Sequence, residues 1–167
     1  MSILALTIFQ GMVASLGVGA STIAIVNFFV AIWDGKIDEH ERKMMGVVYI
    51  ILRIVMVLLL LTSITFLMLY YASGTPFSIF FGQVWTLLAI LYTNAILMTY
   101  KKMPSAFGPA IQASAWYTLG VLNVFHLSNL SFSYGQFVML YLALCLLAVS
   151  VINTIMMYLR HKQDLKK

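Results

Sequence analysis

The residues with the most distinctive chemistry in this sequence are one arginine and four amides, all set within long apolar stretches. They are Asn27, Arg53, Asn94, Gln112 and Asn153. Arg53 lies about ten residues, or about 15 Å along a helix, from the charged end of its predicted span. A charge at that depth costs about 2.5 to 3.5 kcal/mol by insertion scales, and the apolar stretches contain no Asp or Glu to neutralise it.

Two interpretations of Arg53 stay open. Its long side chain extends to the interface and pairs with Asp34 or Glu41, or it faces the bundle interior and binds an anion, a lipid headgroup or a partner's carboxylate. The second interpretation makes it a binding residue.

The three asparagines stand at the same distance from a charged link, seven residues before its first charge. The pairs are Asn27 with Asp34, Asn94 with Lys101, and Asn153 with Arg160. All three amides are therefore expected about 10 Å inside the same interface, where they form a polar layer with Arg53 and Gln112. The spacing also suggests a repeated helical hairpin followed by an unpaired fifth helix. Because buried amides need partners, the layer either holds the helices in register or binds a small polar or anionic ligand.

Five apolar segments must position these residues. The chain has 167 residues, of which 62% are hydrophobic and 9% charged, whereas soluble domains carry about 25% charge. A spanning helix needs roughly 20 apolar residues, and short links make consecutive helices antiparallel neighbours. The sequence therefore predicts an all-α integral membrane protein with five transmembrane helices in an antiparallel bundle, forming a single polytopic domain over residues 1–167. The segments cover residues 3–33, 45–71, 78–100, 107–125 and 134–159.

The charges predict the orientation of this bundle. Nine of the ten basic residues and all five acidic residues fall in the first link, the third link and the C-terminal tail. Because Lys and Arg mark the cytoplasmic side, the N-terminus is expected outside and the C-terminus in the cytoplasm. The opposite face has no charge, which suits either short loops or contact with a partner. It is flanked by an uncharged polar set, namely Gln10, Gln83, Asn123, His126 and Gln136.

The first segment is longer than a bilayer requires. Its 31 residues make about 46 Å of helix, so it must tilt, protrude or break. Gly11, Ser15 and Gly19 recur at four-residue spacing, with Gly17 and Ser21 beside them. Small residues at this spacing let helix backbones approach closely, so we expect helix packing here. A broken helix with exposed backbone groups, as in transporter sites, is the alternative.

The first link offers one local signal. Asp38 followed three residues later by Glu41 is the pattern of a capping box that starts the second helix. The same letters resemble the second half of an EF-hand calcium loop, but the earlier ligand positions fall on Val30 and Ile32, which cannot coordinate calcium. The pattern therefore favours a helix cap, and no metal site is predicted.

The remaining chemistry argues against catalysis. The three histidines, His40, His126 and His161, give no pair inside the spans, which argues against an internally ligated haem and leaves any cofactor unknown. No nucleophile elbow, zinc motif or phosphate loop is present, so the sequence favours a protein that is not an enzyme without deciding the question.

Two functions remain. The first is a subunit or accessory factor that packs into a membrane complex or a homo-oligomer. The second is a passive transporter or channel for a small polar or anionic solute, with Arg53 in its path. The expected partners are membrane lipids and other membrane subunits or copies of the chain itself, with no nucleic acid, and the charge bias suits a bacterial inner (plasma) membrane.

Overall fold

The computed structural model describes residues 3–33, 38–74, 76–103 and 107–164. These residues form five α-helices and no strand, which confirms the all-helical prediction. The helices are α1 (Ile3–Trp33), α2 (Glu39–Ser73), α3 (Ile79–Thr99), α4 (Phe107–Leu127) and α5 (Tyr134–Asp164). α2 and α5 extend beyond the predicted 45–71 and 134–159, because each continues as a helix into its polar flanking residues.

Four of the helices, α1, α2, α3 and α5, are long and apolar enough to cross a membrane. α4 has 21 residues, enough for a span, but its hydropathy falls short because Gln112, Ser114, Thr118 and Asn123 interrupt it. It is also the central helix, packed against α1, α3 and α5. Its neighbours therefore shield polar side chains that would be costly against lipid. The fifth span and the antiparallel topology across the membrane stay predictions.

The core lies where α2, α3 and α4 meet α1. Leu59, Leu87, Leu91, Trp116 and Leu119 are all completely buried there. α5 is peripheral: it packs mainly on α4, and 6% of its spanning window is buried. The dense centre and the exposed rim make a bundle whose outer apolar surface suits lipid or a partner helix.

α1 is one uninterrupted helix, so the broken-helix interpretation does not hold. Its close packing is made by Gly17, which is buried against the Trp116 ring of α4. The predicted stripe of Gly11, Ser15 and Gly19 takes a different position: Ser15 and Gly19 are exposed, and a β-carbon at Gly19 would meet nothing within 4 Å. The close contact between α1 and α4 is therefore made at Gly17, and not at the stripe where we expected it.

The start of α2 confirms the capping box. The Asp38 side chain accepts hydrogen bonds from the backbone N–H groups of His40 and Glu41, and Glu41 Oε2 accepts one from the Asp38 backbone at 3.0 Å. Asp34, which belongs to the predicted turn, lies outside the described residues. The cap is local chemistry between neighbouring residues, and for that reason the sequence predicts it well.

Candidate functional site

A cavity of about 320 Å³ opens among α1, α2, α3 and α4, at the end of the bundle where α3 ends and α4 begins. Polar side chains from all four helices line it, including Ser21, Arg53, Thr99 and Gln112. The rest of the wall is mainly apolar and includes Phe28, Leu52, Met56 and Met98. We call this space the Arg53 cavity. A mostly apolar pocket with a few convergent polar groups is the usual form of a small-molecule site.

Arg53 lies level with the first turn of α4, where Pro109 lines the same cavity. Gln112 Nε2 donates a hydrogen bond to Met56 Sδ at 3.7 Å. Met56 lies about one turn after Arg53 on α2, and Gln112 lies about one turn after Pro109 on α4, so Arg53 and Pro109 are at the same level. α2 begins 14 residues before Arg53, which is about 21 Å of helix, so most of this length extends past the start of α4. Arg53 therefore lies beside the start of α4, and its depth in the membrane stays a prediction.

Arg53 has no carboxylate partner among the described residues. Its side chain is exposed, and the ion pair on its helix joins Lys43 to Glu39 at 3.0 Å. The Glu41 carboxylate, one of the two predicted partners, accepts the cap hydrogen bond from Asp38 instead. The other predicted partner, Asp34, lies outside the described residues. The guanidinium thus keeps its five donors available to a ligand in the cavity.

Behind the cavity wall, two of the predicted amides meet. Asn94 is buried and donates from Nδ2 to Gln112 Oε1 at 3.0 Å and to the Gly108 carbonyl at 2.8 Å. These bonds tie α3 to the first turn of α4. A β-carbon at Gly108 would lie 2.9 Å from Met98 Cγ, so the two helices approach closely here. The Asn94–Gln112 pair therefore holds α3 and α4 together beside the cavity.

Replacing Asn94 by Leu is expected to destabilise the protein by about 1 to 2 kcal/mol. The change leaves the Gly108 carbonyl and Gln112 Oε1 without their donor, and an unpaired buried acceptor costs about 1 to 3 kcal/mol. Removing Asn94 Oδ1, which is buried without a partner, offsets part of that cost. The matched control is Asn153→Leu, because Asn153 is exposed on α5. A denaturing-detergent titration measures the free energy of unfolding of both variants. An equal loss of stability in the two variants would contradict this role for Asn94.

The other two asparagines do not join this pair. Asn27 is half-buried, and its Nδ2 atom is buried without a hydrogen-bond partner among the described residues. Asn153 is exposed on the peripheral helix α5. Asn27, Arg53, Asn94, Gln112 and Asn153 thus divide into one bonded pair, one cavity arginine and two separate amides. The equal spacing from the charged links does not give the three asparagines equivalent surroundings.

The uncharged polar set at the other end of the bundle is largely structural. Gln83 donates from Nε2 to the Phe132 carbonyl at 3.1 Å, which ties α3 to the α4–α5 link. Gln136 Oε1 accepts from the Ser133 backbone at 2.9 Å and caps α5. The His126 ring stacks on Phe80 with centroids 3.9 Å apart.

A second depression, of about 740 Å³, runs along the outer face between α1 and α4. We call it the α1–α4 groove. Gly11, Ser15 and Gly120 line it together with larger apolar side chains such as Met12 and Leu127. Two members of the predicted small-residue stripe therefore border an open groove on the outside of the bundle.

Ser21 is the cavity residue that sequence reasoning undervalued. It is 3% exposed and lines the Arg53 cavity. A usable signal was present, since Ser21, Ala24, Ile25 and Phe28 follow the spacing of a single helical face. The spacing alone does not show that this face of α1 borders a cavity, because that depends on where Arg53 of α2 lies in the fold.

The chain matches no known family model, no curated protein sequence and no solved structure. Its class therefore rests on its own chemistry. The described residues form an all-helical bundle, and four of its helices are apolar enough to fit a membrane protein.

Proposed function

We propose that this chain is a non-enzymatic polytopic membrane protein that acts as a subunit or accessory factor and assembles with a second copy of itself through the outer face of α1. In this proposal all five helices cross the membrane as an antiparallel bundle, with the N-terminus outside and the C-terminus in the cytoplasm. The host membrane is a bacterial inner membrane.

The observation that carries this proposal is the combination of the α1–α4 groove with the small residues along its edge. Ser15 and Gly19 are exposed, and Gly11 and Ser15 line the groove. The bundle itself does not use these positions for close packing, since Gly17 does so. The outer face of α1 thus combines a depression with a narrow backbone ridge.

Membrane physics favours a helix against such a face. Lipid tails are as apolar as leucine, so helices associate mainly through close packing, and small residues at four-residue spacing permit that packing. A two-fold dimer would place the same stripe of both copies at one interface. The large side chains that line each groove, such as Met12 and Leu16, would then pack against those of the partner. The result is the association of two bundles without loss of the internal core.

Passive transport of a small polar or anionic solute past Arg53 is the alternative function. A path through a single chain would have to cross the layer of Leu59, Leu87, Leu91, Trp116 and Leu119, all of them completely buried. Such tightly packed apolar layers exclude water. The packing thus supports the subunit proposal over a pore within one chain.

Disulfide crosslinking in native membranes tests the proposed interface. In a Cys145→Ser background, Ser15→Cys is expected to form a covalent dimer upon oxidation, because close helix contact brings the two α-carbons within about 7 Å. Ser150→Cys, an exposed position on α5, is the matched control and is expected to stay monomeric. Crosslinking that is absent at Ser15, or equal at the two positions, would argue against this interface.

A further inference from the structure

We infer that the Arg53 cavity binds the phosphate group of an anionic phospholipid, with the start of an acyl chain lying along its apolar wall. This inference does not depend on the self-association proposed above. It concerns a different end of the bundle and a different kind of ligand.

The polar side of the cavity fits a phosphoester anion. Arg53 contributes a permanent positive charge without a carboxylate partner among the described residues. Ser21, a buried residue that is 3% exposed, lines the same cavity and carries a hydroxyl. Guanidinium groups bind phosphate oxygens through paired, charge-assisted hydrogen bonds. A permanent cation and a buried serine that line one cavity therefore give it the polar groups of an anion site.

The apolar side argues for an amphiphile over a free ion. Phe28, Leu52 and Met98 line the same cavity and offer nothing to the oxygens of a hydrated phosphate. The volume of about 320 Å³ is at the lower end of the range for small-molecule pockets, about 300 to 1,000 Å³. It suits a headgroup phosphate with a short length of chain.

The position of the cavity also matches a headgroup. It lies at the end of α3 and the beginning of α4, and the exposed Lys101 and Lys102 follow α3 directly in the chain. Basic residues beside a membrane surface attract anionic lipid. The apolar span of α3 runs away from this end, so an acyl chain leaving the cavity in that direction would follow the helix surface.

The test measures binding of dioctanoyl phosphatidylglycerol to the intact protein in detergent by native mass spectrometry. Dioctanoyl phosphatidylcholine and inorganic phosphate are the comparison ligands. Arg53→Gln is expected to raise the dissociation constant for phosphatidylglycerol about tenfold, as loss of a charge-assisted hydrogen bond predicts. The dissociation constant of Arg53→Lys is expected to lie between those of Arg53→Gln and the wild type. Lysine keeps the positive charge but lacks the planar guanidinium that binds two phosphate oxygens at once.

Arg42→Gln is the matched control. It removes the same charge from an exposed position on the same helix, away from the cavity, and is expected to bind within about twofold of wild type. Ser21→Ala is expected to weaken binding two- to fivefold and tests the hydroxyl without changing charge. Neither Arg53 nor Arg42 is buried, so both variants are expected to fold.

The outcomes separate the sources of the anion. The lipid site is supported if Arg53→Gln weakens binding of phosphatidylglycerol while Arg42→Gln does not, and if the wild-type protein binds inorganic phosphate only weakly. Inorganic phosphate bound as tightly as the lipid would overturn the lipid as ligand and assign the site to a soluble anion. Equal effects of Arg53→Gln and Arg42→Gln, or no effect of either, would overturn the site itself.

Discussion

Gly17→Val is expected to cost about 3 kcal/mol or more of folding free energy, the largest stability effect of any single substitution considered in this bundle. A β-carbon at position 17 would overlap the six-membered ring of Trp116. That ring is completely buried within the core, so it has no free volume into which to move. Overpacking a core usually costs about 1 to 3 kcal/mol and sometimes more, a large share of a typical total of about 5 to 15 kcal/mol.

Gly46→Val is the control for this substitution. Gly46 is also helical, and a β-carbon there would meet nothing within 4 Å, so we expect a change within about 0.5 kcal/mol. Denaturing-detergent titration or the thermal unfolding midpoint measures both variants. Adding Trp116→Leu to Gly17→Val is expected to recover part of the loss, because contacting residues are not additive. Equal stability of the two valine variants would refute the α1–α4 contact.

Ser15→Leu combined with Gly19→Leu is expected to abolish self-association while leaving the chain folded. Both positions are exposed on the outer face of α1, so the leucines do not enter the core. They do prevent the close backbone approach on which membrane helix pairs of this type depend. The mass of the particle extracted in mild detergent measures the effect, and the expected shift is from a dimer to a single chain.

Two substitutions of the same size on α5 provide the control. Ser150→Leu and Gly135→Leu also add bulk at exposed helical positions, and both are expected to keep the dimer. If the α5 pair dissociates the particle and the α1 pair does not, the interface belongs to α5 and the proposal for α1 fails.

Local features of this fold were predictable because their causes lie close together in the chain. The cap of Asp38 by Glu41 spans three residues, and the helical segments follow from continuous apolar runs. The grouping of Asn94 with Gln112 across a short link was also predictable. Their helices are neighbours through that link, and buried amides pair where they can.

The axial offsets between neighbouring helices were not predictable in the same way. The number of residues between Arg53 and the end of its own span gives a distance along α2 alone. The pairing of Gln112 with Met56, together with the cavity that Arg53 and Pro109 share, places it beside the first turn of α4. An axial offset between two helices depends on side chains that are far apart in sequence, and a run of apolar residues carries no mark of it.

The face of α1 that packs against the core was not predictable from the sequence, for a related reason. α1 is apolar around its whole circumference, so periodicity cannot distinguish the side that meets the core. Gly17 and the stripe of Gly11, Ser15 and Gly19 are equally small residues within two turns of one another. The deciding factor is Trp116, whose ring needs a gap in the opposing helix.

The mass of the wild-type particle in native nanodiscs, with its lipids retained, tests the central claim most directly. We predict a particle that contains two copies of the 18.7 kDa chain and converts to a single chain in the Ser15→Leu, Gly19→Leu variant. A wild-type particle that contains one chain and lipid alone would contradict the claim that this protein works by assembling through α1.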